Sequence, residues 1–357
     1  MKPLAETPVL SIVIPCRNEK AHIATLLDSL LQQDLDGVSW EAIVADGMSD
    51  DGTREVLASY CARYPEVRMI DNPARFVSPG LNAGIRAARG SIIMRMDAHT
   101  SYAPDYCRLC LETLESAGAD NVGGPARTRA EGTLARAIAA AYHSPFSTGG
   151  ARFHDEGFEG WVDTVTYGCW RKETLERLGL FDEALVRNQD DELNLRLLRS
   201  GGRIWQNPAI RSWYSPRPEL RSLFRQYFQY GFWKVAVIRK HRIPGSWRHL
   251  VPITFILTNA ALIGAAIVGS LTGAGRYAQI FASLWLVLAS LYAGLLVVAS
   301  LITARRAGWA AFSYLPVVFA TFHVSYGLGF LSGLRWLLPG SPFSSAAVGG
   351  AFTELSR

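Results

Sequence analysis

Three apolar runs near the end of the chain limit what it can fold into more than any other feature. They extend over about residues 250–271, 278–303 and 309–334, and none contains Asp, Glu, Lys or Arg. A helix of about 20 apolar residues is long enough to cross a bilayer, so each run predicts a membrane span. Buried helices of a large soluble core are the alternative, but three such runs with short loops between them favour a transmembrane region over residues 250–357.

Basic residues flank these runs unevenly. Four precede the first run and two separate the second from the third, whereas the loop after the first run carries one. They are Arg239, Lys240, Arg242 and Arg248, then Arg305 and Arg306, and finally Arg276. Because basic residues concentrate on the cytoplasmic side of membranes, we expect residues 1–249 in the cytoplasm, at the inner (plasma) membrane, and the C-terminus outside.

The first 249 residues have the composition of a cytosolic domain. Residues 1–8 include no apolar segment suited to a cleavable signal, and five cysteines at irregular spacing favour free thiols over disulfides. The net charge is only +5, with basic residues clustered near the apolar runs. That distribution suits anionic lipid headgroups, so we expect a lipid bilayer, and no nucleic acid, as partner.

Strand and helix patterns alternate through the first hundred residues. Apolar strand segments at 10–15, 41–46, 67–71 and 91–97 are separated by helix-length segments. This alternation predicts a doubly wound α/β domain with a mostly parallel sheet. Ligands of such sheets bind at the carboxyl ends of the strands, so the residues that follow these segments are candidates for a binding site.

Polar residues follow three of these strands. The first strand ends in Pro15, Asn18 and Glu19, the second in Asp46, Asp50 and Asp51, and the fourth in Asp97 and His99. Taken singly, several of them also suit helix N-caps or turns. The sequence contains neither the dinucleotide fingerprint nor a P-loop, so a nucleotide would be held in another way.

Asp97 and His99 lie two residues apart, where a tight turn lets both side chains reach one cation. A carboxylate oxygen with an imidazole nitrogen suits Mn²⁺ well and Mg²⁺ acceptably. Two protein ligands hold a metal poorly, so we expect a divalent cation to bind together with a diphosphate and to neutralise its charge as it leaves. An Asx turn at Asp97 with a surface histidine is the alternative.

A second acidic cluster stands at the start of a predicted helix. Asp190, Asp191 and Glu192 are followed by leucines at helical spacing. Acids in a first turn stabilise a helix through its macrodipole, which explains one or two of them. Three in succession exceed that need, and one of them is a candidate general base toward an acceptor hydroxyl.

Six segments together resemble the inverting family 2 glycosyltransferases, which have the GT-A fold. They are SIVIPCRNE, VADGMSDDGT, SPGLNAGIRAARG, RMDAHTSY, YGCWRKE and QDDELNLRLLRSGGRIW, between about Leu10 and Lys234. The chain has MDAHT where the family has a DxD motif, and it also has NPARFVSPGLNAGI and the apolar runs. In these features it is most similar to the ExoA-like succinoglycan glucosyltransferases. The resemblance implies a GT-A catalytic domain over residues 1–215, an interfacial amphipathic segment over 216–249 and a transmembrane region over 250–357.

The resemblance also implies roles for the candidate residues. Pro15, Asn18 and Glu19 would lie beside the uridine, Asp46 would bond the uracil edge, and Asp50 or Asp51 would lie near the ribose. Asp97 would hold the diphosphate and the metal in the place of the DxD motif, with His99 replacing the second acid. Asp190 aligns with the catalytic base of the family, and Asp191 is an adjacent competitor.

A QxxRW motif precedes a membrane span in the processive members of the family. This chain has Gln229-Tyr230-Gly231-Phe232-Trp233-Lys234, with Phe232 in the place of the arginine. The resemblance implies that Gln229, Trp233 and Lys234 lie on the acceptor and diphosphate side. The alternative is that the segment serves only to anchor the chain at the membrane surface.

The resemblance implies a membrane-bound inverting glycosyltransferase. It would transfer a sugar, expected to be glucose, from a UDP-sugar to a hydroxyl of a polyprenyl diphosphate-linked saccharide. Three alternatives remain open. The first is a polyprenyl-phosphate sugar transferase, which needs no hydroxyl base; the second is a processive synthase, disfavoured by only three spans; and the third is a non-catalytic membrane protein that binds sugar nucleotides.

Overall fold

The computed structural model of the chain describes residues 8–337, and these residues form two compact units. One unit comprises residues 8–128 and Ala151–Ser215, and the other comprises Arg129–Gly150 and residues 216–337. A boundary after residue 215 was also expected from the sequence. Nothing in the sequence indicated that Arg129–Gly150 would group with the apolar helices.

The first unit is built on an eight-stranded mixed sheet with a separate two-stranded pair. Its strands are β1 (Leu10–Cys16), β2 (Trp40–Asp46), β3 (Val67–Asp71), β4 (Ile92–Arg95), β5 (Thr100–Tyr102), β6 (Asn121–Gly123), β7 (Gly160–Val162), β8 (Cys169–Arg171), β9 (Ile204–Gln206) and β10 (Ser212–Tyr214). The sheet order is β3-β2-β1-β4-β8-β6-β9-β7, while β5 pairs with β10. The first four strands are parallel, and β8 pairs antiparallel with β4 and β6. The predicted α/β domain with a mostly parallel sheet is confirmed.

Helices cover both faces of this sheet. They are α1 (Ile23–Leu31), α2 (Thr53–Arg63), α3 (Val77–Ala87), α4 (Tyr106–Ser116), α7 (Lys172–Leu178) and α8 (Gln189–Arg199). Successive side chains of a strand point to opposite faces, and on β1 the buried Ile12 and Ile14 pack with α1 and α4 while Val13 packs with α3 and α8. The strand termini are therefore held between two apolar layers.

The second unit consists of helices. They are α5 (Thr133–Tyr142), α6 (Pro145–Thr148), α9 (Leu220–His241), α10 (Val251–Leu271), α11 (Gly275–Ala307) and α12 (Leu315–Gly333). The last three coincide with the three apolar runs and are long and apolar enough to cross a membrane, and that they span one stays a prediction. The third begins later than expected, at Leu315 rather than 309, because Trp309–Ala311 forms a separate 3-10 turn.

An apolar face of α5 is buried among the long helices of the same unit. Ala137, Ile138 and Ala141 are fully buried and pack in one cluster with residues of α11 and α12, including Ala304 and Leu315. This packing explains why Arg129–Gly150 groups with the C-terminal part of the chain.

Glycines bring α9 and α12 into close parallel contact. A Cβ placed on Gly329 would lie 2.0 Å from the carbonyl oxygen of Phe228, and one on Gly333 would lie 2.7 Å from that of Phe232. A step of four residues on each helix in the same direction means that the helices run parallel. Small residues allow such close approach of helix backbones. Accordingly, α9 is held along α12 over much of its length.

We expect Gly329→Ala to destabilise the second unit, because the added methyl group has no space against the Phe228 carbonyl. Overpacking of this kind costs about 1–3 kcal/mol. Thermal unfolding of the detergent-purified protein measures the effect. Gly294→Ala is the matched control, since a Cβ at that position on α11 meets no atom within 4 Å. Equal melting temperatures for the two variants would contradict the importance of this contact.

Candidate active site

Arg95 joins two of the acids that the sequence singled out. Its Nε and Nη2 atoms donate to the two carboxylate oxygens of Asp97 at 2.8 and 2.9 Å, and its Nη1 atom donates to Asp190 at 2.5 Å. Only 7% of the arginine side chain is exposed. Arg95 is the last residue of β4 and Asp190 is the second of α8, so the fold brings together residues that are far apart in sequence.

Tyrosines surround this ionic bridge. The guanidinium carbon of Arg95 lies 5.9 Å from the ring centroid of Tyr167, and the Asp97 backbone N–H donates to the Tyr102 hydroxyl at 2.8 Å. The hydroxyls of Tyr167 and Thr100 are 2.5 Å apart. These contacts hold the turn after β4 in place, and they restrict the orientation of the charged side chains.

The net pKa shifts of the two carboxyl groups are opposite, although burial raises and Arg95 lowers the pKa of each. Burial raises the pKa of Asp97, but the Arg95 guanidinium outweighs it, and the pKa of Asp97 lies below its ordinary value. At Asp190 the loss of solvation on partial burial prevails over Arg95, with help from the charges of Asp97 and Asp191, so the pKa of Asp190 is raised although part of the side chain still meets solvent. Carboxyl groups with pKa values moved apart are suited to different chemical tasks.

The geometry distinguishes the members of the second acidic cluster. The Asp190 side chain is 43% exposed and can therefore meet a substrate. Glu192 is fully buried, and its two oxygens accept from Arg196 at 2.8 and 2.9 Å, so it stabilises α8 internally. Asp191 is half-buried, and Asp190 is the member of the cluster that pairs with Arg95.

The loops after β1 and β2 are clasped together. Asn18 donates from Nδ2 to Asp50 at 2.9 Å, and the Asp50 backbone N–H donates back to the Asn18 side-chain oxygen at 3.0 Å. Asn18 has a φ of 52°, and its backbone N–H donates to Ser49. Pro15 lies within β1 just before this clasp. The structure thus brings Pro15, Asn18 and Asp50 to one edge of the sheet.

Asp46 lies at the end of β2 with its carboxylate completely buried. One oxygen accepts from the Ser49 hydroxyl at 2.5 Å, and the other accepts from the Ser49 backbone N–H at 3.1 Å and from Arg54 at 2.6 Å. These bonds order the loop after β2. A direct contact of Asp46 with the uracil of a nucleotide would require one of these hydrogen bonds to be exchanged. That role of Asp46 therefore stays a prediction.

The candidate metal ligands, Asp97 and His99, lie in the turn between β4 and β5. His99 is 45% exposed, and its Nδ1 atom lies 3.7 Å from a carboxylate oxygen of Glu19. Both oxygens of Asp97 are bonded to Arg95. Among residues 8–337, no three His, Cys, Asp or Glu side chains converge as a metal cluster. The oxygen and nitrogen donors suit Mn²⁺ or Mg²⁺, but the set is complete only with oxygens from a ligand.

The three residues expected on the acceptor side lie in α9 of the second unit. Gln229, Trp233 and Lys234 are all buried there, at 5% exposure or less. Their role toward an acceptor stays a prediction.

Sequence reasoning missed Arg95. Arg95 interrupts an apolar strand, and an arginine is rarely buried unless it is paired, so its position in IIMRMD was the available signal. Tyr167 has a φ of 61°, which nothing in the sequence indicated.

The chain is similar to known proteins in sequence and in fold. Residues 11–178 match the family described as Glycosyl transferase family 2. The chain is 34% identical over 244 residues to the succinoglycan biosynthesis protein ExoA of Rhizobium meliloti, covering 68% of this chain and 74% of that protein.

Two further similarities extend over almost the whole chain. It is 27% identical over 334 residues to a dolichyl N-acetyl-alpha-D-glucosaminyl phosphate 3-beta-D-2,3-diacetamido-2,3-dideoxy-beta-D-glucuronosyltransferase of Methanococcus voltae, covering 91% of this chain and 97% of that protein. Its fold is similar to that of the mannosyltransferase PcManGT of Pyrobaculum calidifontis in complex with GDP-Man and Mn²⁺. That likeness has a TM-score of 0.56 and 18% identity, and it covers 92% of this chain and 88% of the other.

The motifs, the sheet and these relatives lead to one conclusion. The chain is a glycosyltransferase that belongs to family 2, with a GT-A-like domain, and it falls in the ExoA-like group of that family.

Proposed function

We propose that the enzyme transfers a sugar, glucose by expectation, from a UDP-sugar to a hydroxyl of a polyprenyl diphosphate-linked saccharide. The observation that carries the proposal is the Arg95 bridge, which places a reachable carboxylate, Asp190, beside the carboxylate proposed for the donor, Asp97. A single displacement with inversion requires a base beside the acceptor hydroxyl, on the side of the anomeric carbon away from the departing diphosphate, and Asp190 is exposed enough to take that role.

Each part of the site has a task in this reaction. Asp190 takes the proton of the acceptor hydroxyl as its oxygen attacks the anomeric carbon, and the bond to UDP breaks on the opposite side to give a β-linkage. Arg95 keeps the carboxylates of Asp97 and Asp190 at a fixed separation. The clasp of Asn18 and Asp50, with Pro15, Glu19 and Asp46, forms the uridine side.

Asp97 and His99 would hold a divalent cation, Mn²⁺ or Mg²⁺, together with the donor diphosphate. When bound, such an ion neutralises the charge that develops on departing UDP. The mannosyltransferase of similar fold is described with Mn²⁺, which supports a cation of this kind.

A lipid-linked acceptor is supported by two observations. Three helices are apolar enough to cross a membrane, and the relative from Methanococcus voltae is named for a dolichyl phosphate-linked substrate. We infer that the catalytic unit works at the cytoplasmic face of the inner membrane, and the excess of flanking basic residues supports this orientation.

Asp190→Asn is expected to lower turnover by about 10²–10⁴-fold, the usual contribution of a general base. Asp191→Asn, which removes the neighbouring charge at equal size, is expected to keep turnover within about tenfold. UDP release from UDP-glucose in the presence of membrane lipid extract measures both, and a mass spectrum of the lipid product tests the reaction itself. If Asp190→Asn stays active, a phosphate acceptor that needs no base becomes the better reading.

Arg95→Gln should shift the acidic limb of the pH–activity profile to higher pH. Asp190 works only when ionised, so activity falls as pH drops through its pKa, which lies above the ordinary value of about 3.9. Without the guanidinium that lowers it, this pKa rises further. The control is Arg86→Gln, which removes an exposed surface pair with Glu183. An unmoved limb in folded Arg95→Gln protein would refute the coupling.

Asp97→Ala should abolish transfer, whereas His99→Asp should retain it with an altered preference between Mn²⁺ and Mg²⁺. The reason is that aspartate supplies a harder oxygen ligand in place of imidazole nitrogen. Activity of chelator-treated enzyme titrated with each ion is the measurement. Full activity of Asp97→Ala would remove the proposed role of the MDAHT segment.

A further inference from the structure

An open cleft of about 520 Å³ lies between α9 and α12 in the second unit. It is lined by Leu220, Arg221, Phe224, Arg225 and Thr321. Its volume falls within the range of small-ligand sites. None of these residues has been given a task in the reaction above.

Two arginines face this cleft from one side of α9. Arg221 and Arg225 are one helical turn apart, which puts them on the same face. In residues 8–337 neither forms a hydrogen bond or an ion pair. By contrast, Arg95, Arg54 and Arg196 each bind carboxylates.

The sequence that follows offers these arginines no counter-charge, and Glu219, two residues before Arg221, forms no ion pair with either of them in residues 8–337. Residues 220–353 contain neither Asp nor Glu. Two neighbouring guanidinium groups without a carboxylate repel each other, and an anion from outside the chain relieves that repulsion. A phosphate fits best, because the planar guanidinium donates two parallel hydrogen bonds to its oxygens.

The rest of the cleft is apolar. Phe224 is 37% exposed and stacks on Phe228 with ring centroids 6.3 Å apart. Thr321 is the seventh residue of α12, so the cleft opens about 9 Å along a helix that can cross a membrane. Aromatic and aliphatic walls beside paired arginines match a phosphate that carries a hydrocarbon chain.

We propose that this cleft binds the phosphate group and the adjoining isoprenoid units of the lipid-linked acceptor. The inference rests on the proposed function, since it assigns the lipid part of that acceptor to a place on the chain. A free phosphate makes no use of the apolar wall, and an ordinary anionic lipid offers the same phosphate on a different chain. These sources are separated by experiment.

Binding is measured by native mass spectrometry of the full chain in detergent micelles. The probes are a polyprenyl phosphate, the corresponding polyprenol, phosphatidylglycerol and inorganic phosphate. The test variant is Arg221→Gln with Arg225→Gln. The matched control is Arg276→Gln with Arg306→Gln, which removes two exposed charges from loop-proximal ends of α11.

The test variant should bind polyprenyl phosphate about 100-fold more weakly, roughly tenfold for each arginine lost. The control should stay within about threefold of the native chain, and polyprenol should bind the native chain weakly. Equal affinity of the test variant, equal affinity for phosphatidylglycerol, or displacement by inorganic phosphate would each overturn the proposal.

A kinetic arm separates the two proposals. With lipid extract as acceptor, the test variant should show a raised KM for the lipid and an unchanged rate of UDP release to water. Arginine-dependent binding without any sugar transfer by the native enzyme would reject the proposed function and keep the cleft. Transfer with an unchanged KM would reject the cleft and keep the function.

Discussion

The bridge that Arg95 makes to Asp97 and Asp190 is the interaction on which the rest of the site depends. A guanidinium at the end of a buried strand is costly unless it is paired, and here three of its nitrogen atoms bind carboxylate oxygens. Removing either carboxylate would leave the buried guanidinium incompletely paired, which destabilises the fold. The same contacts that satisfy the arginine set the separation of the two acids, so the stability of the rim and its chemistry have one origin.

This arrangement also explains how neighbouring acids can differ. Asp97 accepts two bonds from the guanidinium and has a lowered pKa, whereas Asp190 accepts one and has a raised pKa. One arginine therefore keeps the Asp97 carboxyl group ionised, while the Asp190 carboxyl group binds a proton more readily. The two carboxyl groups are suited to different chemical tasks because they share one guanidinium unequally.

Local patterns in the sequence predicted much of this structure. The apolar segments of β1 to β4 and the three long runs carry their own periodicity, and the acids stand where strands and helices end. Arg95 was not identified, because its partners come from a turn and a distant helix. The late start of α12 depends on a 3-10 turn at Trp309, and the contact of Gly329 with Phe228 depends on packing between helices. Such features arise from long-range contacts that no local window contains.

The path of the chain through Arg129–Gly150 affects how the enzyme can be divided. The backbone leaves the first unit at Thr128, contributes α5 to the second and returns at Ala151. The buried side of α5, with Ala137, Ile138 and Ala141, packs against residues of α11 and α12. A fragment that ends at Ser215 would keep α5 and lose the helices that cover it. The apolar surface exposed in this way would promote aggregation. The two units are joined by three backbone crossings instead of one linker, so neither can be cut away from the other at a single position.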